Sequence, residues 1–117
     1  MTHKDLKVWK DSIDFVTSLY KVTDSFPKSE LYGLASQLRR AAVSIPSNIA
    51  ERASRNHKKE FIQYLYISLA SASEVDTQLV ISNNLNFINE KELSILSNKL
   101  NEISKMLQGL IKSVNRR

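Results

Sequence analysis

The chain has 117 residues, no cysteine, two glycines, two prolines and a formal charge of +5 from 17 basic and 12 acidic side chains. Without cysteine it forms no disulfide scaffold and no cysteine-ligated zinc site, and it has no thiol nucleophile. Its length suits one domain, 1–117, able to bury a core without metals or cross-links.

The start, MTHKDLK, lacks the apolar run of a signal peptide, and the uncharged stretch 61–73 is too short for a membrane span. A cytoplasmic protein without a membrane partner is expected.

Apolar residues recur at helical spacing in four blocks. In the first, Leu6, Trp9, Ile13, Val16 and Tyr20 step by threes and fours, which predicts a helix near 5–24 with Trp9 and Tyr20 on its core stripe. Asp24-Ser25-Phe26-Pro27 ends it, and Ser29 is placed to cap a second helix near 29–53 with the stripe Leu31, Leu34, Leu38, Ala41, Ile45 and Ile49. Pro46 falls inside that helix, where the lost hydrogen bond and the ring clash cost roughly 3 kcal/mol. A kink at Pro46, with packing to offset it, is expected. A polar turn, Arg52 to His57, leads to a third helix near 57–84 on Phe61, Leu65, Leu69, Ala72, Val75 and Leu79. After a break at Asn83–Asn89, Asn89 and Glu92 form an asparagine variant of the capping box. The last helix, near 90–114, carries Leu93, Leu96, Leu100, Ile103, Leu107, Leu110 and Val114. Matched lengths and short connections predict an all-α, up-down-up-down antiparallel four-helix bundle with shallow crossings.

The third helix has apolar residues on nearly every side. Within a bundle each helix keeps an outer face, so the surplus points to a second contact surface and self-association. Tyr64 and Tyr66 pack at such a contact or stack on bases. Arg40, Ser44, Ser47 and Glu51 make a polar stripe on the second helix, matched by Ser68, Ser71 and Glu74 on the third. Small residues let the two backbones approach. Arg39 or Arg40 then pairs with Glu74 and fixes register, or both arginines are solvated on an outer face.

Topology sorts the charges. The N-terminus, the turn between helices two and three and the C-terminus share one end. That end holds ten basic residues (Lys4, Lys7, Lys10, Arg52, Arg55, Lys58, Lys59, Lys112, Arg116, Arg117) against Asp5, Asp11, Glu51 and Glu60, a net +6. The opposite end nets −1 and the middle nets zero. Such an end binds phosphate backbones with little sequence preference, or it is simply solvated. The C-terminal cations suit a helix dipole, but Lys4, Lys7, Lys58 and Lys59 lie at helix starts, where cations are disfavoured. The candidate nucleic-acid contacts are Lys4, Lys7, Arg52, Arg55, Lys58, Lys59, Arg116 and Arg117, with RNA as the candidate partner.

Catalytic patterns are missing. His3 and His57 have no metal-ligand spacing, Gly33 and Gly109 make no phosphate loop, and Glu74 and Asp76 fall on different helical faces. A protein that is not an enzyme, with no cofactor and no metal, is expected.

Four segments together resemble a known family: DLKVW at 5–9, FPKSELYGLASQLRRAAVSIPSNIAE at 26–51, KEF at 59–61 and SASEVDTQL at 71–79. They resemble the four-helix-bundle proteins encoded within intervening sequences of bacterial 23S rRNA genes. That family is similar to the accessory variability determinant protein of diversity-generating retroelements, a basic pentamer that associates with RNA and a reverse transcriptase. The resemblance implies a homopentamer with nucleic-acid or ribonucleoprotein association, a reverse transcriptase as a conceivable protein partner, and no enzyme activity. The candidate interface or register residues are Arg39, Arg40, Pro46, Asn48, Glu51, Tyr64 and Glu74. This chain departs from the pattern at Arg52, where the family usually has glycine, and at His57, where a serine often caps the third helix.

Overall fold

The computed structural model describes residues 2–51 and 57–117. Four helices form: α1 Lys7–Thr23, α2 Leu34–Ala50, α3 Lys58–Asn84 and α4 Glu90–Asn115. Two 3₁₀ turns, His3–Asp5 and Lys28–Glu30, precede α1 and α2. No strand occurs among the described residues. Consecutive helices pack on one another, and α1 closes the ring against α4. At one end the α1–α2 connection meets the α3–α4 connection, with the Phe26 and Phe87 rings 5.4 Å apart. At the other, Lys58 of α3 reaches the end of α4. These contacts make the all-α, up-down-up-down bundle expected from the spacing.

The core holds Phe15, Leu19, Leu38, Ile45, Ile49, Leu65, Val75, Leu79, Leu100, Ile103 and Leu107, all essentially inaccessible to solvent. The stripes expected for α2, α3 and α4 supply most of it. The stripe expected for α1 does not. Val8, Ser12, Phe15, Leu19 and Thr23 face the core, while Ile13 and Tyr20 are exposed and Trp9 is half-buried against the His3 ring. Two of the true core positions are hydroxyls, which bury without penalty because each satisfies itself on its own helix. Ser12 donates to the Trp9 carbonyl at 2.7 Å and Thr23 to the Leu19 carbonyl at 2.8 Å.

The start of α2 also differs from expectation. Ser29 caps nothing; it sits in the 3₁₀ turn, and the regular helix begins only after Gly33. There the Glu30 carboxylate accepts from the Leu34 amide at 3.3 Å. A Cβ on Gly33 would lie 2.7 Å from that carboxylate oxygen, so glycine keeps room for the cap. The other end of α2 was expected at residue 53; the helix stops at Ala50, and 52–53 lie outside the described residues. The capping box at α4 is complete: Glu92 N–H donates to Asn89 Oδ1 at 2.7 Å, and Asn89 N–H to Glu92 Oε1 at 3.0 Å. The α3 terminus closes through Asn86, whose φ of 64° places it in the left-handed region that asparagine tolerates. Phe87 N–H then donates back to the Ser82 carbonyl at 2.9 Å.

Pro46 is buried within an unbroken α2. Beside it, the side of α2 that faces α3 makes polar contacts. Ser68 of α3 donates to the main-chain carbonyl of Ile45 at 2.9 Å, a side chain touching the neighbouring backbone. Ser44 and Ser71 hydroxyls meet at 2.9 Å, and the Asn48 amide donates to the Ser44 carbonyl at 2.8 Å and hydroxyl at 2.9 Å. The small residues of α2 and α3 thus allow the close approach expected of them.

Candidate nucleic-acid interface

Three structural pieces bring cations to one end of the bundle. The first 3₁₀ turn and the start of α1 carry Lys4, Lys7 and Lys10. The start of α3 carries Lys58 and Lys59, and the last turn of α4 leads through Lys112 to Arg116 and Arg117. All eight side chains are exposed. Arg52 and Arg55, the remaining candidates, lie outside the described residues. The Arg52–His57 turn is described only at His57, which occupies the N-cap position of α3 and makes no side-chain cap bond.

The cations at helix starts are accounted for differently. Lys58 Nζ donates to the main-chain oxygen of Arg117 at 2.8 Å and reaches that of Asn115 at 3.4 Å. Its unfavourable place at the start of α3 is offset by the carbonyl-rich end of the antiparallel α4 beside it. Lys7 pairs with Asp11 one turn on, at 2.6 Å. That hydrogen bond first, and then the charge of the same carboxylate, hold the Lys7 ammonium above its usual pKa range. Lys7 and Lys58 are therefore partly engaged. Lys4, Lys59, Arg116 and Arg117 enter no ion pair among the described residues.

Lys10 and Lys112 join this end in space but were not among the candidate contacts. Lys112 precedes Arg116 by four residues on one helical face, and that spacing is the signal that could have singled it out.

The residues proposed for register divide. Arg39 does not pair with Glu74. It turns to α1, with Nε donating to Thr23 Oγ1 at 2.9 Å and Nη2 to the Tyr20 carbonyl at 3.3 Å and to Asp24 at 3.4 Å. Its guanidinium carbon lies 4.5 Å from the Tyr20 ring centre. Arg39 thus sits on α2's α1-facing flank and locks those two helices, because Tyr20 and Thr23 at the end of α1 present a ring, a hydroxyl and a carbonyl. Arg40 and Glu74 are exposed, and Glu74 takes a 3.4 Å hydrogen bond from Gln78. Asn48 belongs to the α2–α3 seam through Ser44, Pro46 is buried and lies seven residues after Arg39 on the same flank of α2, and Glu51 and Tyr64 are half-buried near the basic end. Tyr66 is 55% exposed and Tyr32, at the opposite tip, 92%.

Among the described residues no three histidine, aspartate or glutamate side chains group to hold a metal, and no helix is long and apolar enough to cross a membrane.

No curated protein shows significant similarity to the chain. A solved structure superposes with a TM-score of 0.82 at 24% identity, over 90% of this chain and 95% of that one. It is described as a protein of unknown function from the S23 ribosomal protein family of Bacteroides thetaiotaomicron. At that identity the likeness bears on the fold. The model of the 23S rRNA-intervening sequence protein family matches residues 4–109, nearly the whole chain, and the match includes the LRRAAVSIPSNIAE segment at 38–51. The chain belongs to the 23S rRNA-intervening sequence protein family.

Proposed function

We propose that this protein is a cytoplasmic, non-catalytic, self-associating RNA-binding scaffold, working as a homopentamer as the resemblance to the retroelement accessory protein suggests. The observation that carries the reading is the charge asymmetry: the excess of cations gathers at one end, and several are exposed and outside any ion pair among the described residues. Side-by-side copies would merge these ends into one basic face suited to a phosphate backbone. A reverse transcriptase as protein partner is supported by resemblance alone.

The test is a salt titration of binding to a single-stranded poly(U) of about 20 nucleotides. Six phosphate contacts at a slope of about −0.7 each predict a loss of about 300-fold between 50 and 200 mM salt. Changing Lys59, Arg116 and Arg117 together to glutamate should lower affinity at least tenfold and flatten the slope by about 2. Unaltered binding by that variant would refute the assigned face.

A second reading, a protein-interaction module that binds no nucleic acid, is favoured by the exposed apolar groups of the opposite tip. Leu31, Tyr32 and Leu85 are each more than half exposed there. Native material that carries a protein and no RNA would support it over the first.

A further inference from the structure

Between the end of α1 and the start of α2 the chain takes a detour. Pro27 is extended, with φ −54° and ψ 142°, and the 3₁₀ turn Lys28–Glu30 follows before α2 begins at Leu34. The detour leaves a hollow of about 110 Å³ beside Arg39. Phe26, Pro27, Leu31 and Ala35 give it an apolar lining. Phe26 and Ala35 are buried, and Leu31 is half-exposed.

Two cations, Lys28 and Arg39, and one carboxylate, Asp24, also line it. Lys28 is exposed and enters no ion pair among the described residues. Arg39 commits Nε and Nη2 to Thr23, Tyr20 and Asp24, while Nη1 donates to none of the described residues. The Asp24 carboxylate is already set against Arg39 at 3.4 Å. The hollow is thus apolar with a cationic excess, the complement of an apolar group that carries an acid. Its size narrows the choice. Drug-sized ligands and cofactors occupy roughly 300–1,000 Å³, whereas an apolar cavity of about 150 Å³ takes a molecule as small as benzene. The hollow has room for one apolar side chain.

We propose that this hollow binds the C-terminal residue of a partner protein's tail, with its apolar side chain inside and its main-chain carboxylate held by Arg39 Nη1 and Lys28. Two observations favour a tail over a free amino acid. A free amino acid brings an ammonium group, and the one carboxylate of the lining already faces Arg39. The apolar surface also continues past the hollow. The Phe26 ring lies 5.4 Å from that of Phe87 in the α3–α4 turn, where Leu85 is more than half exposed, so the residues before the last have a surface to lie on. The inference goes beyond the RNA reading, because it concerns the opposite end of the bundle, and its failure leaves that reading standing.

The experiment is fluorescence anisotropy with a fluorescein-labelled hexapeptide, Gly-Ser-Gly-Ser-Gly-Leu, bearing a free C-terminal carboxylate. It should bind saturably with a Kd below about 1 mM. Amidating the C-terminus, or replacing the last leucine with serine, should each weaken binding about tenfold. Lys28→Glu should weaken the acid peptide about tenfold and leave the amide peptide within about twofold, a split that a loss of structure would not produce. In ¹⁵N–¹H spectra the acid peptide should shift the amides of Phe26, Leu31 and Ala35 most. Binding that does not saturate by about 5 mM overturns the proposal, as does equal affinity for acid and amide peptides. So do shifts centred on the basic end. Free leucine that competes as tightly as the peptide overturns the tail and assigns the hollow to an amino acid.

Discussion

Arg39→Ala should destabilise the bundle by about 2 kcal/mol, while Arg40→Ala, one residue on, should change the isolated chain by less than about 0.5 kcal/mol. Arg39 is tied to α1 by a charged donor 2.9 Å from the Thr23 hydroxyl, a contact worth about 1.5 kcal/mol. Its position over the Tyr20 ring adds about 0.5 kcal/mol or slightly more. The Asp24 pair adds almost nothing, because at 3.4 Å its carboxylate is 86% exposed. For 117 residues the unfolding entropy is about 0.25 kcal/mol/K, so 2 kcal/mol corresponds to a fall in Tm of about 8 °C. Arg39→Lys keeps the charge but not the planar fork, and should recover less than half of the loss. The assay is thermal unfolding followed by circular dichroism at the lowest workable protein concentration, so that assembly contributes little. Equal Tm values for Arg39→Ala and Arg40→Ala, or full recovery in Arg39→Lys, would refute the lock between α1 and α2.

Asn89→Ala should cost about 1 kcal/mol, and adding Glu92→Ala should cost less than the sum of the two single changes, because the capping bonds are reciprocal; urea midpoints check this. Ser68→Ala should cost about 1 kcal/mol by removing the hydroxyl's bond to the Ile45 carbonyl, and Ser68→Val about 2 kcal/mol or more, because extra methyls at a fully buried contact force α2 and α3 apart. A Ser68→Val protein as stable as the parent would show that the seam has slack.

Helix number, order and the cores of α2, α3 and α4 were legible because long, strictly spaced apolar runs leave few alternatives. α1 misled because it carries two stripes about a quarter-turn or more apart. The more hydrophobic one, with Trp9, Ile13 and Tyr20, lies on its flank. The one that faces the core includes Ser12 and Thr23, and their burial depends on back-bonds to carbonyls that spacing does not reveal. The start of α2 misled for a related reason: a carboxylate reaching forward from Glu30 replaced the expected serine cap. At the basic end, topology was enough to gather the lysines and arginines. That Lys7 and Lys58 are already engaged, and that Arg39 turns toward α1 rather than α3, depends on side-chain reach in three dimensions.

The serine contacts between α2 and α3 also give the bundle unequal edges. Along that seam the Ser44–Ser71 bond and the bond from Ser68 to the Ile45 carbonyl cross between the helices, so a slide of one helix past the other by a turn breaks them together. The α1–α4 seam is the thinnest of the four, and a single long-range hydrogen bond, Lys99 to Ser18 at 3.3 Å, spans it among the described residues. Breathing motions should therefore start there, with α1 peeling from α4 while the α2–α3 hairpin moves as a stiff plank. Amide hydrogens of α1 and α4 should exchange sooner than those of the hairpin, and a protease that catches the opened chain should find the outer pair first.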